Sequence, residues 1–367
     1  MSLDNNLGVI PVDEDQDDSR SEVGSSIASS STSLRDSILD YRIENGRTYH
    51  RYKDGKYNLP NDERELDRLD LTHTLWLLVN GNKLGSAPPC QDNATVGRVL
   101  DVGTGTGIWA LDFGDEHPEA EVYGIDLSPT VPEYVPPNVR FEIDDVEEEW
   151  TWSQPFDYIH SRVMTSSIGD WKLYLRRCFN NIKPGGWLEL QEIDLFCRSD
   201  DGTLTPEHSL IKWCNLLQQA SEIFGRPYME IPSLKDLMTE VGFADVSMTT
   251  GAWPSNSWPK EQKYKELGIW NGENMMSGLD GFSMAALTRA HGWSRSEVDV
   301  FLIDVRNDIK NRSIHAYWPV YFITGRKPEE KDSPDTAPAP LPADAPAPEA
   351  SEAPQVSAAT PATNTAS

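Results

Sequence analysis

An open α/β sheet of mainly parallel strands is the fold class this sequence predicts, and three observations carry it. Between residues 98 and 193, short β-branched runs alternate with helical stretches, the pattern that parallel pairing with right-handed crossovers requires. A glycine-rich turn, Gly103-Thr104-Gly105-Thr106-Gly107, separates the first of these strands from the first helix. Acidic residues end successive strands, where open α/β sheets collect their binding groups.

The elements follow in order. Asp62 to Val79 is an N-terminal helical stretch. Arg98 to Val102 is a short β-branched strand carrying Asp101, and Ile108 to Glu116 is the helix after the glycines. Glu121 to Ile125, Val139 to Ile143 and Phe156 to His160 are the next strands. Leu173 to Ile182 is helical and stops at the Lys183-Pro184-Gly185-Gly186 turn. Trp187 to Ile193 is a fifth strand. Helices then span about 207–224 and 233–241, with strands at Ala244 to Thr250 and Ile314 to Thr324. Helical stretches near 259–276, 283–291 and 294–310 lie between those two strands, and this insertion reads as a cap on the sheet.

Both ends read as disordered tails. Residues 1–40 contain the acidic run Asp13 to Asp18 and the serine-rich run Ser25 to Ser33, with few large apolar residues to offset ordering entropy. Residues 328–367 alternate alanine and proline. About half of the net charge of −27 falls in these ends, which leaves one folded region over 41–327. Such acidity disfavours binding to nucleic acid or to an anionic membrane. The cysteines Cys90, Cys178, Cys197 and Cys214 form no CxxC or Cys/His cluster, so neither a metal site nor a disulfide framework is expected. There is no signal-peptide pattern and no apolar run near the ~18 residues that span a bilayer. With no basic import cluster either, the expected compartment is cytoplasm, nucleus or both.

The chemistry concentrates in Val99 to Trp109. Glycines at a strand end let backbone pass close to a ligand, and the helix start adds free N–H groups. The spacing is GxGxG, and Ile108 stands where a dinucleotide fingerprint needs its last glycine. No Lys-Ser/Thr pair follows, which excludes a P-loop. Asp126 ends the second strand, placed to accept both hydroxyls of a ribose. Asp144 and Asp145 end the third, placed to accept from an adenine amino group. Glycines and acids in this order describe a nucleoside site without a phosphate, suited to a cationic ligand.

The order Asp-Val-Gly-x-Gly-x-Gly, Gly-x-Asp-Leu-Ser, Phe-x-x-x-Asp and Pro-Gly-Gly-Trp resembles class I S-adenosylmethionine-dependent methyltransferases. The blocks Glu44-Asn45-Gly46-Arg47-Thr48-Tyr49-His50, Tyr57-Asn58-Leu59-Pro60-Asn61-Asp62-Glu63, Asp70-Leu71-Thr72-His73 and Ile159-His160-Ser161-Arg162 bring the resemblance closer to the fungal LaeA-like group, enzymes and regulators of secondary metabolism. The resemblance covers about residues 41–327. It implies a Rossmann-like seven-stranded sheet whose last strand, Ile314 to Thr324, is antiparallel, with an N-terminal lid over 41–97, a cofactor core over 98–200 and a helical cap with the final strands over 201–327. It implies S-adenosyl-L-methionine as cofactor: Gly103, Thr104 and Gly105 along its methionine moiety, Asp101 near its amino group, Asp126 with Leu127 at the ribose. Asp145 is favoured for the adenine amino group with the Val146 backbone at the ring, Asp144 being the alternative.

His160, at the end of the fourth strand, is the candidate general base; the alternative is a histidine that packs against the cofactor or binds backbone. Arg162 is expected to pair with an acid, and His73 to pack between helix and core. Tyr41, Tyr49, Tyr52 and Tyr57 make the N-terminal block a candidate lid over the cofactor, the alternative being an ordinary packing arm. Trp253, Trp258, Trp270, Trp293, Met275, Met276 and Met284 are candidates either for walls of an apolar acceptor cavity or for ordinary core packing. The expected activity is methyl transfer to a small metabolite or protein acceptor. The competing expectation is a regulatory protein that keeps the fold and works through protein partners, and an NAD oxidoreductase is disfavoured by Ile108.

Overall fold

The structure, a computed structural model, describes residues 41–329 other than 51, 54 and 133. The tails expected to be disordered lie outside the described residues, apart from 328 and 329. The chain enters through a hairpin, β1 (Arg42–Glu44) and β2 (Arg47–Tyr49). Asn45 and Gly46 at its tip have φ of 53° and 81°, the double positive φ that a two-residue Asn-Gly turn supplies. Helix α1 (Glu63–Val79) follows, its first turn capped by the Asp62 carboxylate, which accepts from the Glu65 N–H.

Next come β3 (Arg98–Val102), α2 (Ile108–Glu116), β4 (Glu121–Asp126), β5 (Val139–Ile143), β6 (Phe156–Arg162), α3 (Trp171–Asn181) and β7 (Ile182–Ile193). Helices α4 (Ser209–Ile223) and α5 (Ser233–Val241), strand β8 (Ala244–Pro254), helices α6 (Gln262–Ala285) and α7 (Arg295–Lys310) and strand β9 (Tyr317–Arg326) complete the chain. Seven strands pair in the order β5-β4-β3-β6-β7-β9-β8. The pairs from β5 to β7 are parallel, whereas β9 runs antiparallel to both β7 and β8. The antiparallel last strand implied by the family resemblance is therefore present, inserted between its neighbours.

Two apolar layers enclose the sheet. On one face Leu100, Ile159 and Leu188 pack with Trp171, Leu175 and Met238 of α3 and α5. On the other, Val99, Val122 and Tyr158 pack with Trp109 and Phe113 of α2. The cap has its own core, in which Leu210 and Leu217 of α4 meet Leu279 of α6 and Leu302 of α7, with Trp318 of β9 joining it to the sheet.

Several boundaries differ from expectation, among them the end of β8, which runs to Pro254 rather than Thr250. The helices expected near 259–276 and 283–291 form one helix, α6, that runs on into a π-helical turn at Ala286–Ala290. Gly278 and Gly281, in the expected gap, are contact points: a Cβ on Gly278 would lie 2.5 Å from Arg68 Cδ, and one on Gly281 3.2 Å from an Arg47 nitrogen. The Lys183-Pro184-Gly185-Gly186 segment belongs to β7, because Gly185 N–H donates to Lys327 O and Lys327 N–H to Gly186 O. The last strand starts at Tyr317 rather than Ile314. Among the described residues no helix is long and apolar enough to cross a membrane.

Candidate functional site

The glycine loop takes its shape from three positive φ values, 70° at Gly103, 59° at Gly105 and 80° at Gly107. A Cβ on Gly103 would lie 2.5 Å from Met164 Sδ, so the loop lies tight against the segment after β6. The N–H groups of Gly103 and Thr104 both donate to Ile125 O, and Thr130 Oγ1 donates to Gly105 O at 2.6 Å. Asp126 closes the turn: its Oδ2 accepts from Gly105 N–H and its Oδ1 from Ser128 N–H, each at 3.0 Å. Burial raises this carboxyl above its ordinary value. A carboxylate has about four acceptor positions, so two remain for a ligand.

Gly103, Thr104, Gly105, Asp126, Leu127, Asp144, Asp145 and Val146 all line one cavity of about 260 Å³ at the carboxyl edge of the sheet. Asp145 is buried; it accepts from the Lys56 ammonium of the N-terminal arm and from Glu147 N–H. Asp144 Oδ1 accepts from Asp145 N–H at 2.8 Å. The arm itself forms part of the wall through Lys56, Tyr57, Leu59, Pro60 and Asn61. Of the four arm tyrosines only Tyr57 lines the cavity, and burial pushes its phenol well up. Tyr49 is buried elsewhere, under the Arg289 guanidinium at 4.8 Å.

Asp101 and His160 do not line the cavity. In the parallel register they sit side by side and on the same face, so His160 Nδ1 and Asp101 Oδ1 are 2.7 Å apart. Thr104 Oγ1 donates to the other oxygen of Asp101 at 2.6 Å. The imidazole is fully buried and stacks on Trp109, ring centroids 3.8 Å apart and planes at 8°. The structure does not place His160 as the expected general base: it lies buried in the layer between sheet and α2, outside the cavity lining. The sequence indicated the strand correctly but not the depth: Arg162, two residues on and on the same face, lines the cavity, and His160 lies beneath it.

Arg162, expected to pair with an acid, instead donates to His73 Nδ1 at 3.1 Å, and His73 Nε2 lies 2.9 Å from Asp112 Oδ2. His73 is buried on α1, as expected for a helix–core contact, and burial lowers its pKa. Among the cap residues weighed as cavity walls, Trp253 and Met275 line the cavity, Met284 packs in the cap core and Trp270 is exposed. Sequence reasoning missed Lys56, Arg68, Met164, Asp194, Trp213, Phe282 and Trp318, all of which line the cavity. Lys56 meets Asp145 across 89 positions, a pairing without any local sequence signal.

With this geometry in place, likeness to other proteins is informative. Residues 80–248 match the family model described as a methyltransferase domain. The chain is 40% identical over 301 residues to methyltransferase pytC of Aspergillus terreus, covering 82% of this chain and 92% of that protein. It is 37% identical over 292 residues to the secondary metabolism regulator LAE1 of Cochliobolus heterostrophus, covering 78% and 95%. It is 33% identical over 293 residues to the protein-methionine methyltransferase laeA of Emericella nidulans, covering 78% and 77%. Similarity at this level over more than two thirds of the chain means that it belongs to the fungal LaeA-like family of methyltransferases.

Proposed function

We propose that this protein transfers a methyl group from S-adenosylmethionine to a small acceptor held beside the glycine loop. One observation carries this reading: a single cavity collects the glycine loop, Asp126 and the Asp144–Val146 strand end on one side and an apolar aromatic wall on the other. The residues present fit the cofactor. Positive φ at Gly103 and Gly105 bends the loop so that both residues line the cavity, and Asp126 beside them keeps acceptor capacity for ribose hydroxyls. Asp145, its charge offset by Lys56, takes the adenine amino group, with Leu127 and the Val146 backbone against the nucleoside. Asp101 acts indirectly, tying Thr104 of the glycine loop to His160 of β6.

When bound, the cofactor supplies an activated methyl on a sulfonium. The task left to the chain is alignment and exclusion of water. The acceptor wall, with Trp213, Trp253, Trp318, Phe282 and Met275, suits an apolar metabolite. Titration calorimetry of the whole chain against S-adenosylmethionine and NAD tests the cofactor; tight NAD binding without S-adenosylmethionine binding would sink the proposal.

The arm acts as a lid in this scheme, since Lys56 and Tyr57 close the adenosine side. Deleting residues 41–60 is expected to lower cofactor affinity at least about tenfold, the loss of one or more hydrogen-bonded or apolar contacts. Unchanged affinity would reject the lid. A regulatory role through protein partners, in cytoplasm or nucleus, is the second reading, favoured by the regulator names of relatives such as LAE1. Metabolite extracts from cells with and without the gene separate the two: one missing methylated product marks a pathway enzyme, broad loss of many products marks a regulator.

A further inference from the structure

Across the carboxyl edge of the sheet, β6 lies directly beside β3, with Val102 opposite Ser161. The next residue on each strand is Gly103 on one and Arg162 on the other, so the guanidinium-bearing residue stands next to the glycine assigned above to the methionine moiety. Arg162 lines the same cavity as Gly103 and Gly105.

Its charge is poorly compensated. Among the described residues the guanidinium makes one hydrogen bond, to His73 Nδ1, and has no carboxylate within ion-pair distance. His73 accepts that bond, so it carries its proton on Nε2 toward Asp112 and is neutral. Asp101, Asp112 and Asp70 act on Arg162 only from farther away, and burial lowers its pKa to about 10. By contrast, Arg68 on the same wall is matched to Glu65 at 2.7 Å. A half-buried guanidinium facing a cavity without a partner acid is costly unless the ligand brings the anion.

We infer that Arg162 is the subsite for the α-carboxylate of the cofactor's methionine moiety, with His73 holding the guanidinium in place and Asp112 fixing the tautomer of His73. This assignment rests on the S-adenosylmethionine reading above and deepens it. The carboxylate takes the guanidinium N–H groups that His73 leaves free, in the charge-assisted geometry that arginine offers. His73 is a positioning residue, because it acts through Arg162.

The test compares two ligands that share the adenosyl group and the sulfur: S-adenosylhomocysteine, which has the amino-acid tail, and 5′-methylthioadenosine, which lacks it. Each is titrated calorimetrically into the full chain and into Arg162→Gln and Arg162→Lys. Arg162→Gln is expected to weaken S-adenosylhomocysteine about 10- to 100-fold, the range of one or two charge-assisted hydrogen bonds, and to change methylthioadenosine by less than about threefold. Arg162→Lys keeps the charge and is expected to fall between wild type and Arg162→Gln for the homocysteine ligand only. Equal losses for both ligands, or no loss for S-adenosylhomocysteine, overturn the assignment. Wild-type protein that binds neither ligand overturns the cofactor reading itself and this subsite with it. Melting curves of the variants identify an unfolded variant, for which Arg162→Lys supplies the comparison.

Discussion

Replacing Asp126 with alanine is expected to weaken S-adenosylmethionine binding at least about 100-fold. The carboxylate already accepts from Gly105 N–H and Ser128 N–H, and the residue lines the cavity. Two ribose hydroxyls donating to a charged acceptor contribute roughly 1.5–3 kcal/mol each, and about 2.7 kcal/mol is already a hundredfold. The same substitution strands two backbone donors at the rim of the glycine loop, a cost of about 1–2 kcal/mol that lowers the melting temperature by only a few degrees in a domain of this size. Asp126→Asn keeps one acceptor oxygen and is expected to lie between the two. Titration calorimetry with S-adenosylhomocysteine reads the effect, and affinity within threefold of wild type would remove Asp126 from the site. The variant also separates enzyme from regulator in cells. Loss of the product with Asp126→Ala supports methyl transfer, whereas retained output supports action through partners.

The second large effect is one of stability and concerns Glu192 at the end of β7. This side chain is fully buried; its Oε1 accepts from Met164 N–H at 2.9 Å, and its Oε2 has no hydrogen-bond partner among the described residues. Burial pushes its carboxyl from an ordinary value of 4.5 up to about 8, so the folded protein holds it neutral at pH 7. A raised acid pKa in the folded state adds stability in full below about pH 4.5. That contribution is lost progressively as the pH rises from about 4.5 to about 8 and is level above. At ~1.4 kcal/mol per unit of gap the cost above pH 8 has an upper bound of about 5 kcal/mol. Local relaxation and water entry reduce this, and a change of about 1–3 kcal/mol is expected. Glu192→Gln keeps an acceptor for Met164 N–H and removes the titration. It should therefore melt close to wild type at pH 5 and several degrees higher at pH 8.5. A wild-type advantage that grows with pH would show that Glu192 is ionised and paired in the folded state. Because Glu192 holds the segment that packs on Gly103, the same variant should bind S-adenosylhomocysteine normally at pH 6.

The Asp101, His160 and Glu189 row shows where sequence reasoning stops. These residues face one another across β3, β6 and β7 in register, and Glu189 accepts from Ser86 N–H, Ala87 N–H and Tyr158 OH. A histidine near a strand end has the same sequence signature whether it reaches the cavity or stops one residue pair short of it, in the layer against the helix. Position in the pattern thus nominated His160 as a base, while its stacking on Trp109 and its bond to Asp101 make it part of the frame.

The sequence by itself determined the alternation of strands and helices, the glycine loop, and the acids at the ends of β4 and β5. These are properties of short segments: β-branched periodicity, the positive φ that glycine permits, and the chain's return to one edge of a parallel sheet. Only the tertiary structure decided that Lys56 reaches Asp145, that Arg162 stands beside Gly103 with His73 as its sole hydrogen-bond partner among the described residues, and that the cap helix α6 is continuous. The first two join residues far apart in the chain, and in the third Gly278 of the helix packs against the distant Arg68. Strand register, side-chain face and helix packing set them, and they arise from burial of the whole core rather than from any one segment.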